Sequence, residues 1–216
     1  MSKSAKILPR QKRSVKTHNA LLDAAERLLR DRPWDEISTV DIMLEAGVSN
    51  GAIYGRFKSK DDLLVALYER HDEKLKERFG SGNAGESFDE ESLEDFMDRE
   101  IDGLIANYKE NRWLLQAMGI LSRQKPGVVT AKMRDERRAM FDQIGARFDP
   151  FVGQFDHPDP KRGVQLVIFF VGTILREAYL YPGPHFGTLD IDDVELKDSL
   201  KRLAMGFLGV RSENRQ

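Results

Sequence analysis

Three features of the sequence predict an all-α chain. Apolar residues recur at helical spacing over most of its 216 residues, short caps and glycine or proline stops bracket those runs, and no segment alternates as a strand would. An apolar content of 40 % is enough for a real core, and no internal repeat interrupts the pattern.

Residues 15–31 place Leu21, Ala24, Ala25, Leu28 and Leu29 on one face, and Pro33 ends that first helix. The next stretch, 38–64, predicts two short helices joined by a tight turn and followed at once by a third. Ser38 with Asp41 forms a capping pair for the helix at 38–46, whose inward face carries Ile42 and Ala46. Gly47 stops it, because glycine adopts freely the left-handed conformation that costs other residues about 1–2 kcal/mol. Val48 is expected to plug the corner and Ser49 to cap the second helix, which runs to Arg56. So short a helix is not stable alone. Ile53 and Phe57 must therefore point inward, leaving Asn50, Gly51, Ala52, Tyr54, Gly55 and Arg56 outside as a reading surface. Two helices in this relation form a DNA-reading helix-turn-helix.

Ser59 with Asp62 repeats the cap and opens a long helix to about Phe79. The segment GSGNAGES, 80–87, predicts a linker. Further helices are expected over 88–109, 112–123, 127–148, 161–181 and 192–210, separated by Lys125-Pro126-Gly127, by Asp149–Pro160 and by Pro182-Gly183-Pro184. The expected organisation is a basic arm at 1–13, a helix-turn-helix domain at 14–60, and a helical effector-binding and dimerisation domain at 61–216, with the helix at 61–79 linking the two.

The helix at 161–181 is apolar on both sides: Val164, Val167, Ile168, Val171, Leu175 and Ala178 on one, Leu166, Phe169, Phe170, Ile174 and Tyr181 on the other. Such a helix must be covered all round. A second copy packing the two last helices into a four-helix bundle would cover it, with Val164, Val167, Val171, Leu175, Leu200, Leu203 and Phe207 as the expected dimer interface.

Charge divides the chain. Residues 1–60 carry 12 Lys and Arg against 7 Asp and Glu, and residues 61–216 carry 22 against 29. The basic part holds the helix-turn-helix, which favours a nucleic-acid partner there and not elsewhere. The first 20 residues contain Lys3, Lys6, Arg10, Lys12, Arg13 and Lys16 with no acid and no apolar h-region, so a secretory signal is not expected. The longest apolar run, Leu166–Leu175, is about half a membrane span. No membrane partner and a cytoplasmic, nucleoid-associated location are therefore expected. Cysteine is absent, which excludes disulfide and thiol chemistry.

On the reading surface, Asn50 fits adenine, Ala52 a thymine methyl, and Arg56 guanine or phosphate. Tyr54 is assigned to a phosphate because the inward positions are already occupied. Lys60 sits in the first turn of its helix, where a cation opposes the dipole, and a phosphate contact would explain it. The basic residues 3–16, including Lys12 and Arg13, fit equally a solvated tail and an arm entering the minor groove. His18, His71, His157 and His185 lack metal-site spacing, and the acidic run 89–95 reads as a solvated face. Without a nucleophile elbow, phosphate loop or Cys–His pair, neither catalysis nor a cofactor is expected.

The segment AGVSNGAIYGRFKSKDDLL resembles the tetracycline-repressor (TetR) family of bacterial regulators in its turn glycine, two caps, outward tyrosine and following lysine, over residues 14–70. The resemblance implies a homodimeric repressor on a palindromic double-stranded DNA operator, released by a small molecule. It also implies that Asn50, Gly51 and Arg56 touch base edges or nearby phosphates, and that Ser38, Thr39, Ser49, Tyr54 and Lys60 grip the backbone. Position 50 is often lysine in the family, position 55 bulky, position 43 alanine, and position 40 in some members arginine; here they are Asn50, Gly55, Met43 and Val40, so the operator does not transfer. An apolar or aromatic effector is expected among Phe96, Leu104, Tyr108, Trp113, Met118, Met140, Phe141, Phe170 and Thr173. The rival expectation is a DNA-bound interaction factor of nucleoid or division type without an effector; an enzyme with a DNA-binding accessory is a distant third.

Overall fold

The computed structural model describes residues 9–81, 92–181 and 191–210, and among them there are helices and no strand. In chain order they are α1 (Pro9–Asp31), α2 (Thr39–Ala46), α3 (Asn50–Tyr54), α4 (Lys60–Ser81), α5 (Leu93–Glu110), α6 (Arg112–Gln124), α7 (Ala131–Ala146), α8 (Pro160–Leu180) and α9 (Asp193–Leu208). Short 3-10 turns occupy Trp34–Glu36, Pro126–Val128 and Asp149–Gln154.

The sequence-predicted elements are present with shifted ends. The first helix starts at Pro9, six residues before its apolar face demands it, so Lys12 and Arg13 lie on helical backbone and not on an arm. The reading helix stops at Tyr54, two residues short of Arg56, and the seventh helix starts at Ala131 because Thr130 caps it through the N–H of Met133. Most of the expected linker falls outside the described residues, as do residues 1–8 of the arm and Pro182-Gly183-Pro184.

The chain divides into two compact units, one holding the helices up to Glu73 together with Trp113–Val128, the other holding Lys74–Arg112 and the chain from Val129 onward. The expected boundary at 60/61 therefore differs from the observed one twice over. The first half of α4 stays with the first unit because Leu63, Leu64 and Leu67 are buried there and Arg70 reaches Asp23 and Glu26 of α1, each at 2.6 Å. The helix α6 returns to the same unit: Trp113 lies under the Arg30 guanidinium at 5.3 Å, and Lys125 pairs with Asp61 at 2.6 Å.

The second unit packs α5, α8 and α9 around one core containing Phe96, Met97, Ile101, Phe148, Phe151, Val164, Val167, Val171, Leu175, Leu200 and Leu208. Pro160–Leu180 is long and apolar enough to cross a membrane, yet its Val164, Val167, Val171 and Leu175 lie in this protein core. Where α8 begins, Gly163 lies so close to His157 that a Cβ there would meet the ring at 3.0 Å, and Gly209 (φ 72°) closes α9 in the left-handed conformation.

Candidate nucleic-acid interface

The turn between α2 and α3 is built locally. The hydroxyl of Ser38 accepts the Asp41 N–H at 3.1 Å, while the Asp41 carboxylate accepts both the Ser38 N–H and the Ser38 hydroxyl at 2.8 Å. Those bonds, with Arg32 3.5 Å away, hold the Asp41 carboxyl below the usual carboxylate range. Gly47 ends α2 at φ 63°, ψ 37°, and the Val48 N–H returns to the Met43 carbonyl. The five-residue α3 is too short to persist alone, and Ile53 and Phe57, both buried, hold it.

Around this turn the candidate residues divide. Gly51 and Tyr54 are exposed, and Ala52 is half-buried beside them. Tyr54, 58 % exposed, brings its hydroxyl 3.4 Å from the Thr39 hydroxyl at the start of α2. Two hydroxyls, each able to donate, therefore face solvent together, which suits a phosphate oxygen. That pairing spans 15 residues, and no sequence signal announced it. Asn50 opens α3, and Ser49 stands at its cap position with extended backbone but makes no cap hydrogen bond, contrary to the expectation.

Three residues of the expected DNA-contacting set are engaged within the protein. Ser38 has its hydroxyl engaged on both sides by the cap. Lys60 does not extend outward: its ammonium donates to the carbonyls of Trp34 at 2.6 Å and Ile37 at 2.8 Å and sits 5.0 Å from the centre of the Trp34 ring. The cation that opposes the α4 dipole is thus offset by two carbonyls and an indole face, and burial lowers its pKa. Arg56 folds back as well, donating to the carbonyls of Ala52 at 2.8 Å and Ser14 at 3.3 Å. Beside it His18 stacks on Phe57 with ring centres 5.1 Å apart, an α1 contact that sequence reasoning missed.

In the second unit the expected dimer residues divide by depth. Val164, Val167, Val171, Leu175 and Leu200 belong to the chain's own core and are buried there, whereas the expectation placed them on a surface shared with a second copy. Leu203 and Phe207 remain 39 % and 36 % exposed, and Phe169, from the face of α8 not assigned to the interface, is 60 % exposed. Phe170 joins Phe169 and Phe207 edge to face, with ring centres 6.0 and 5.4 Å apart.

The expected effector residues do not form one group. Trp113 and Met118 belong with α6 to the first unit. Phe96 is fully buried between Phe148 and Phe151. Leu104 and Tyr108 flank that core, and burial raises the pKa of Tyr108, whose hydroxyl donates to the Gly172 carbonyl at 3.0 Å. Phe170, Met140 and Thr173 are half-buried, and Phe141 is exposed. A hollow beside α5 and α9 is lined mostly by charged residues, with the ion pairs Lys201–Asp98 and Lys197–Asp98 among them, which is not the lining an apolar effector needs.

A family model described as bacterial regulatory proteins, tetR family, matches residues 21–67, the span from the α1 core to α4. The HTH-type transcriptional regulator YwcC of Bacillus subtilis is 45 % identical over 60 residues; that match takes in 28 % of this chain and only 27 % of the relative's length. The nucleoid occlusion factor SlmA of Shewanella woodyi is 25 % identical over 198 residues, 91 % of this chain and 84 % of that protein. Among solved structures, a TetR-family transcriptional regulator from Mesorhizobium loti superposes with a TM-score of 0.70 at 18 % identity, over 92 % of this chain and 98 % of the other, a likeness of fold.

Proposed function

We propose that the chain, whose residues 21–67 match the model of bacterial regulatory proteins of the tetR family, is a homodimeric cytoplasmic repressor of that family which holds a palindromic DNA operator and leaves it when a small apolar or aromatic molecule binds the second unit. The observation that carries the DNA reading is the exposed Thr39–Tyr54 hydroxyl pair beside a reading helix whose Gly51 and Ala52 allow close approach to the duplex. Phosphate contacts fall to Tyr54, Thr39 and Ser49, and base contacts to Asn50 and Ala52. Dimerisation is supported by the aromatic patch of Phe169, Phe170, Leu203 and Phe207, whose exposure is costly in an isolated protomer. For the effector, Leu104 and Tyr108 are the best-placed of the expected residues, because they pack against the second core while remaining partly exposed.

One reading competes. The likeness to a nucleoid occlusion factor runs along almost the whole chain, whereas the likeness to YwcC stops after about a quarter of it. A factor that stays on DNA and recruits a protein is what that longer likeness favours. Enrichment of duplexes from a random pool, followed by anisotropy titration in the presence of a panel of apolar and aromatic compounds, separates the two. Enrichment of an inverted repeat and release by a compound supports the repressor; enrichment without release by any compound favours the recruiting factor; no enrichment removes both.

A further inference from the structure

Arg56 stands where a base reader is expected, yet two main-chain carbonyls on different elements hold its guanidinium. Ala52 belongs to α3, whereas Ser14 belongs to α1 and precedes by seven residues the first buried position, Leu21. One turn beyond Ser14, His18 lies against Phe57, the residue next to Arg56. The first turns of α1 are therefore fastened to the end of the reading helix at two adjacent points. The pKa of His18 agrees with that geometry, being lowered by burial and then by the nearby Arg56 and Arg70 charges.

The fastened segment has an unusual charge. Between Pro9 and Lys16 the helical backbone carries Arg10, Lys12, Arg13 and Lys16, and the sequence has no acid before Asp23. Cations in the first turns oppose the helix dipole. A polyanion along this segment relieves that penalty.

We propose that Arg56 is a positioning residue: it fastens a preformed basic extension of α1, residues 9–16, to the reading helix, and that extension grips duplex phosphates beside the half-site. This rests on the DNA-binding reading above. A free basic tail loses conformational freedom when it settles on DNA, whereas a helix already held by Arg56 and Phe57 loses little. Arg56 then acts on affinity through the extension and not through a base edge.

The test follows the salt dependence of affinity for the full-length protein, on a duplex that the wild type enriches from a random pool and on a mixed-sequence control duplex. Each phosphate contact contributes about 0.9 to the slope of log K against log salt. Replacing Arg10, Lys12, Arg13 and Lys16 together by alanine should flatten the slope by about 1.8 or more for a dimer, on both duplexes alike. Arg56→Ala should also flatten it, by no more than the fourfold replacement does, without changing base preference, and should add nothing in the fourfold background. Arg56→Lys keeps the charge but not the fork between two carbonyls, and should behave nearly as Arg56→Ala; it carries the test if the alanine variant fails to fold. Faster amide exchange over residues 10–18 in the Arg56 variants is the matching readout. The proposal is overturned if the fourfold variant keeps the wild-type slope, if an Arg56 variant loses preference at one base pair, or if the two sets of changes add. Salt-independent or absent binding by the wild type would instead remove the DNA-binding reading itself.

Discussion

The helix-turn-helix and the paired helices α8 and α9 hide opposite kinds of side chain. In the first, cations that look like DNA contacts turn inward: Lys60 onto Trp34 and Ile37, Arg56 onto Ala52 and Ser14. In the second, apolar residues turn outward: Phe169, Leu203 and Phe207 are exposed while Val171 and Leu175 fill the core. Residue type thus gives a poor guide to which surface is functional in either region. A buried cation is tolerable where carbonyls receive its donors, and an exposed phenylalanine is tolerable where something else covers it.

The sharpest way to break that contrast is to place the same charge on the two sides of α8. Val171→Lys buries an unpaired ammonium in the core and should lower unfolding free energy by several kcal/mol, read by urea denaturation. Phe169→Lys should leave the denaturation midpoint near wild type and, on the proposed dimer, give monomer in sedimentation. Equal effects of the two on the midpoint would mean that the faces are not distinct.

Lys60→Ala comes next. It removes two charge-assisted hydrogen bonds and should cost about 2 kcal/mol of stability, while leaving the salt slope of DNA binding unchanged. A flattened slope with wild-type stability would return Lys60 to the phosphates. Gly47→Ala should cost about 1–2 kcal/mol, and since no atom lies within 4 Å of the added carbon the cost is conformational alone. Gly47→Asn, better suited to the left-handed region, should recover part of it in the same denaturation assay.

The smallest effect belongs to His18. Its folded pKa lies below the ordinary value of 6.5, because burial and then Arg56 and Arg70 disfavour the charged ring. The neutral form stabilises the fold; that contribution is complete above 6.5 and is lost as pH falls through the folded value. Stability of the wild type should therefore decline below pH 6.5 more than that of His18→Gln, and parallel curves would show that the ring's surroundings do not matter.

What was legible in the sequence was local. Ser38 with Asp41, Gly47, and Ser59 with Asp62 lie within a few residues of the groups they satisfy, and each performs the expected cap or stop. The partners of Lys60 lie 26 and 23 residues away and the second partner of Arg56, Ser14, lies 42 away, so no short pattern encodes them. The periodicity of α8 likewise marked two apolar faces but not which one the protomer covers itself, because that depends on α5 and α9 arriving at the Val164–Leu175 side. The start of α1 was invisible for the same reason: residues 9–14 follow no apolar period, and their helix is held from outside by Arg56 and Phe57.

The return of α6 to the first unit has a temporal meaning. Synthesis runs from the N-terminal side, yet the unit containing the reading helix lacks its last member until Val128 has emerged, after all of Lys74–Arg112 has been made. Until then α4 has its Arg70 pairs with Asp23 and Glu26 of α1 but no Lys125 for Asp61, and the nascent chain carries a half-built reader while the beginning of the second unit is already being made. A fragment cut at Glu73 would keep that unfinished state permanently, without the Trp113 and Lys125 contacts to Arg30 and Asp61.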